Sequence, residues 1–165
     1  MKRTIAAATA AAVVLASAGT GTLAWALTRG EGGGHGLPEI SAFTGGQLIR
    51  VGPFLYCNVL DLNDCATPQS QGELRVTERN RVQLSVPEAI AAAPWRLMVV
   101  YENPDNTTIS TFRPDSRLSA TIPTVDPQRG RATGLAVQLL TLVTDGNDEI
   151  REVPHAEWSV RFVWE

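Results

Sequence analysis

The sequence predicts an all-β body, an antiparallel sandwich of immunoglobulin-like arrangement with one short helical turn, preceded by an N-terminal hydrophobic helix. Three observations predict it. Apolar and polar residues alternate at period two through several short segments rich in Val, Ile, Leu, Thr and aromatics. Turn-forming clusters of Pro, Gly, Asn and Asp separate these segments at spacings of about 8–12 residues, which suits a sandwich better than a helical bundle. One stretch alone reads as helical, "PEAIAAAP" at 87–94, and prolines at both ends limit it to a turn or two. A small barrel is the alternative closure.

The amino terminus comes first and reads as an address. Lys2 and Arg3 form a short positive region, and no residue from Ile5 to Leu27 is charged. Ala16-Ser17-Ala18 is a small-x-small cleavage site. The uncharged run is also long enough to span a bilayer at roughly 20 residues. Residues 1–27 are therefore expected to be a signal peptide or a membrane anchor. Positive-inside logic places the amino terminus in the cytoplasm and the body outside. Residues 28–36, "TRGEGGGHG", read as a Gly-rich linker without a fold of its own.

Residues 37–165 form the expected extracytoplasmic domain. It carries 11 arginines, no lysine and 16 acidic residues, a net charge of −5. No basic stripe stands out, so nucleic acid is not an expected partner. The lack of lysine excludes a P-loop, a Schiff base and a Ser-Lys dyad from the body. Strands are expected at "QLIRV", "PFLYCNV" and "GELRVT". "RVQLSV" follows, with Val82, Leu84 and Val86 inward. After the helical turn, "PWRLMVVYE" alternates Trp95, Leu97, Val99 and Tyr101 against Arg96, Met98, Val100 and Glu102. "ENPDN" should reverse the chain, with Pro104 presetting its dihedral, onto a strand at "TTISTF". "RLSATIP" puts Leu118, Ala120 and Ile122 on one face, and "TVDPQRGRA" reads as a longer loop. "GLAVQLLTLVT" should join "IREV" through the Asp-Gly turn in "TDGNDE". In "EWSVRFVWE", Trp158, Val160, Phe162 and Trp164 point one way. Eight or nine short strands result.

Cys57 and Cys65 are the only cysteines. Zinc needs about four ligands, and the body offers these two and His155. A thioredoxin-type site needs Cys-x-x-Cys. Asp61 and Asp64 nearby would suppress a thiolate. An even count on an exported chain argues for a disulfide that pins the loop "NVLDLND" to a strand end.

"GPFLYCNVLDLNDC" and "APWRLMVVYENPD" together carry a resemblance. The chain is similar to an uncharacterised family of exported or membrane-anchored actinobacterial proteins, a domain of unknown function. The shared features are Tyr56-Cys57, Cys65, Ala93-Pro94-Trp95-Arg96-Leu97 and Tyr101. The resemblance covers most of the body and the leading apolar segment. It implies location and lineage, and it implies no activity or site residue.

For catalysis the body offers little. There is no Gly-x-Ser-x-Gly elbow. His155 is the only histidine beyond the linker, and strand alternation places it with Glu157 on the solvent face. "DLND" and "DGNDE" are oxygen-rich, but the second lacks the glycine that a calcium loop of the EF-hand type requires. No metal and no cofactor are expected. Met98, Val100, Leu140 and Leu142 lie on the second face of two doubly apolar strands, where either the "EAIAAA" segment or a loop covers them or a partner, a lipid or a second copy does. The expected function is a non-catalytic cell-envelope binding or adaptor module. Its expected partner is an envelope protein or lipid, with membrane attachment through the leader if uncleaved. The alternatives are a lipid or small-ligand carrier and, behind it, an envelope hydrolase using His155.

Overall fold

The computed structural model describes residues 36–144, 146 and 148–165. The expected leader and linker up to residue 35 lie outside the described residues, as do Asp145 and Asn147 of the acidic turn. Among the described residues no helix is long and apolar enough to cross a membrane.

Among the described residues twelve strands, one α-helical turn and a 3₁₀ turn at Pro104–Asn106 follow in order. They are β1 (Ile40–Thr44), β2 (Gln47–Val51), β3 (Leu55–Asn58), β4 (Asp61–Ala66), β5 (Gln71–Val76) and β6 (Arg81–Ser85). Then come α1 (Glu88–Ala91), β7 (Trp95–Tyr101), β8 (Thr108–Phe112), β9 (Ser119–Pro123), β10 (Val125–Asp126), β11 (Gly130–Thr144) and β12 (Ile150–Trp164). A four-stranded sheet has the order β2-β1-β6-β9. The larger sheet runs β4-β3-β12-β11-β7-β8, with β10 also on β11 and β5 also on β12. Every pairing is antiparallel except that of β5 with β12.

The all-β reading holds, and the alternation works as expected where one face is buried. Trp95, Leu97, Val99 and Tyr101 of β7 are all buried, and so are Trp158, Val160 and Phe162 of β12. Val82 and Leu84 of β6 and Ile122 of β9 meet them from the facing sheet in one cluster. Each such large side chain contributes about 1.5–3 kcal/mol on leaving water. The indoles also tie loops to this core. Trp95 Nε1 donates to the Arg117 carbonyl (3.2 Å), Trp158 Nε1 to the Pro38 carbonyl (2.7 Å) and Trp164 Nε1 to the Ala132 carbonyl (3.0 Å). A buried indole needs such an acceptor.

Several expectations are corrected. The strands among the described residues number twelve, and β11 and β12 run 15 residues each, so they are not uniformly short. β1 was not among the expected strands. The loop "NVLDLND" is largely strand, because β4 pairs with β3. Leu118 precedes β9 and its side chain is exposed, while its own carbonyl accepts from the Val86 N–H (2.9 Å). The helical turn forms where expected, but Ile90 and Ala91 bury themselves in the core.

Candidate functional site

Two hairpins project from one end of the large sheet. In the first, Tyr56 pairs with Ala66 and Cys57 with Cys65, and Asn58 pairs with Asp61. Val59 and Leu60 therefore form the turn. The Asn58 side chain accepts from the Leu60 N–H (3.0 Å), an Asx turn that sharpens the reversal. The Cys57–Cys65 disulfide closes this hairpin across directly opposed positions, with Cα atoms 3.9 Å apart. No described cysteine is free.

The second hairpin is the far part of β11 and β12. β7 pairs with β11 only as far as Leu139, opposite Trp95. β3 pairs with β12 at Glu157 and Ala156. Beyond those points, among the described residues, β11 and β12 form a ladder only with each other, from Leu140↔Pro154 out to Thr144↔Ile150, with the Leu140 N–H still donating to the Pro94 carbonyl (3.2 Å) and Arg96 of β7 reaching Glu152 (3.3 Å). The result is a two-stranded ribbon leaving the sheet. β3 is antiparallel to β12, so Asn58 lies on the same side of Tyr56 as Pro154 lies of Ala156. Both turns thus point the same way.

His155 sits at the ribbon's root, and its place differs from the expected solvent face. Leu139 pairs with Ala156 and Leu140 with Pro154, which leaves His155 as an extra residue in β12. Such a bulge breaks period two and turns two successive side chains inward. His155 is 7% exposed and Ala156 is buried beside it. The His155 Nδ1–H donates to the Cys57 carbonyl (3.2 Å). Its ring stands edge-on to Tyr56, which stands edge-on to Trp158, both at 6.1 Å. A cavity of about 470 Å³ opens here, lined by Tyr56, Asn58, Val59, Asp64 and Ala66 as well as Cys57 and His155. Glu157 does not share it. Its carboxylate accepts from Gln138 Nε2 (2.9 Å). Among the described residues no cluster of His, Cys, Asp and Glu gathers as metal ligands.

The expected patch is divided by the same geometry. Met98 and Val100 are half-buried on the outer face, and Ile109, opposite Met98, is exposed. Leu140 is buried, so it does not belong to an exposed patch. Leu142 lies farther along the ribbon and is 65% exposed. Ile90 and Ala91 of α1, expected as a cover for this face, pack into the core instead. The most exposed large apolar side chains are Leu60 at 93% and Ile150 at 71%, neither of which the strand patterns singled out. Their signal was in the sequence: "NVLD" places two apolar residues where a hairpin turn ordinarily takes polar ones.

A family model described as "Protein of unknown function (DUF2771)" matches residues 35–163, nearly all of the described body. The chain belongs to the DUF2771 family. Two relatives carry the likeness over the whole length. Uncharacterized protein Rv0875c of Mycobacterium tuberculosis and Uncharacterized protein Mb0899c of Mycobacterium bovis are each 62% identical over 164 residues, covering 99% of this chain and 100% of theirs. No solved structure matches. Membership in DUF2771 agrees with the actinobacterial resemblance carried by Tyr56-Cys57, Cys65 and the "APWRL" run.

Proposed function

We propose that this DUF2771 protein is a non-catalytic binding module of the cell envelope, exported by its leader and working through the hairpin end of an immunoglobulin-like sandwich. One observation carries the reading: Val59, Leu60, Leu142 and Ile150 are exposed together on two hairpins that project in one direction. Exposing them costs hydrophobic free energy, which only an occupant would return. The disulfide supports an extracytoplasmic body, since such bridges persist in oxidising compartments. The immunoglobulin-like assignment is supported by strand order. β12, β11, β7 and β8 lie side by side in the larger sheet while β6 and β9 pair in the other. β5 crosses to pair in parallel with the last strand, and the buried Trp95 lies on the strand that follows the helical turn. The small-ligand carrier alternative rests on the cavity beside His155.

A photo-crosslinking amino acid placed at Leu60 in the native host tests the reading, with one at Gly46 in the opposite β1–β2 turn as control. Adducts from position 60 and none from position 46 are expected. Silence at position 60 refutes a binding role for this end.

A further inference from the structure

We infer that the hairpin end is a lipid-docking surface, which rests on the proposed binding module and on a leader that stays in the membrane. The first observation is where the chain enters the body. The Pro38 carbonyl accepts from Trp158 Nε1, two residues along β12 from the Ala156 that pairs with Tyr56. From there β1 runs away from the hairpins. Its last residue, Thr44, pairs with Gln47, whose side chain accepts from the Arg75 N–H, and Arg75 lies opposite Val163. The chain before Leu37 thus leaves from the end that carries the projecting turns.

The second observation is the asymmetry of exposed apolar surface. Val59, Leu60, Leu142 and Ile150 are exposed and lie on this side of the Trp158 level, and Phe54 is exposed at that level. The opposite end carries the polar turns at Gly45–Gly46, Arg79–Asn80 and Pro104–Asn106, with one exposed apolar pair, Phe43 and Leu48, beside the first. The third is reach. The Val59–Leu60 turn lies about five residues beyond the Trp158 level, about 17 Å at strand rise. The nine residues 28–36 between the uncharged run and the body span up to about 30 Å. A body held on that tether meets the bilayer with these side chains first. Docking too weak to act from solution then becomes effectively intramolecular.

The rim of this surface gives the lipid class. Asp61, Asp64, Asp148, Glu149 and Glu152 flank the apolar turns and are exposed, against two arginines, Arg151 paired with Glu149 and Arg96 paired with Glu152, so the rim keeps a net negative charge. It would be repelled by an anionic surface, and a second copy brought end to end would set like charges against each other. The surface therefore fits an uncharged or zwitterionic lipid face.

The test uses the full chain reconstituted in phosphatidylcholine nanodiscs that carry a headgroup spin label, read by amide signal loss in NMR. Loss is expected at residues 59–60 and 142–144, with signals kept at Gly45, Gly46 and Asn80. The loss should weaken when phosphatidylglycerol replaces phosphatidylcholine. The paired variant Leu60→Asp, Ile150→Asp should keep its Trp95 and Trp158 indole signals, which report the fold, and recover the lost amides. A chain that stays with the disc without loss at the turns overturns the docking surface alone. Equal loss at both ends, or loss that the paired variant does not relieve, overturns it too. A chain that separates from the disc overturns both the docking surface and the anchored leader on which it rests.

Discussion

Replacing Cys57 and Cys65 together by serine isolates what the disulfide contributes. The bridge closes a loop with sequence separation 8. Chain entropy for so short a loop gives about 2.5 kcal/mol, since the cost rises only with the logarithm of loop length. The structure says where that loss appears. The β3–β4 hairpin is joined to the sheet by two residue pairs, Tyr56↔Ala156 and Leu55↔Glu157, by the Phe54 N–H bonded to the Glu157 carbonyl (2.7 Å) and by the His155 ring bonded to the Cys57 carbonyl (3.2 Å). The core cluster meanwhile takes most of its members from other strands. The expected outcome is a fall of up to about 2.5 kcal/mol in urea unfolding, with faster amide exchange at 58–65 than the global change explains. Exchange at Val99, Val137 and Val160 should track global stability alone. Uniform acceleration throughout, or protection at 58–65 that survives the double substitution, would refute the idea that the bridge holds this hairpin in place. Reduction of the wild-type protein should reproduce the double variant.

Two further outcomes follow from individual residues. Gly134 stands at a register shift in the middle of the large sheet, and a Cβ there would lie 2.7 Å from the Val160 carbonyl oxygen. Because backbone must give way, Gly134→Ala should cost about 1–3 kcal/mol by urea titration, and an unchanged midpoint would show that β11 and β12 are not in this register. Asp126 accepts from the Gln128 and Arg129 N–H groups (2.9 and 3.0 Å) and pairs with the Arg129 guanidinium. The Gln128 N–H foremost, with Arg129, holds its carboxyl below the ordinary range of 3.8. A depressed carboxyl contributes stability above that range and loses it as pH falls through the lowered value. Asp126→Asn should therefore be less stable than wild type near neutrality and converge with it in acid, and parallel pH–stability curves would contradict this.

Period two made β6, β7 and the end of β12 legible from the sequence, because each has one face in the core and one in water. β1 escaped since "ISAFT" puts small Ala42 and polar Thr44 at buried positions, so its pattern carries little contrast. β4 escaped since a hairpin edge that buries almost nothing has no apolar periodicity to show. For His155, strand alternation was right about neighbouring residues and failed at the bulge, which is a relation between β11 and β12 that neither strand's pattern encodes.

The sequence by itself determined the all-β class, the short helical turn between two prolines and the pairing of its two cysteines. These rest on local periodicity, turn chemistry and composition, which each segment carries within itself. Only the tertiary structure decided that His155 is buried, that Leu140 is covered while Leu142 is not, and that Leu60 and Ile150 project from the same end as the entering chain. Those facts depend on register between strands distant in sequence, and a single bulge reverses which side chains face water.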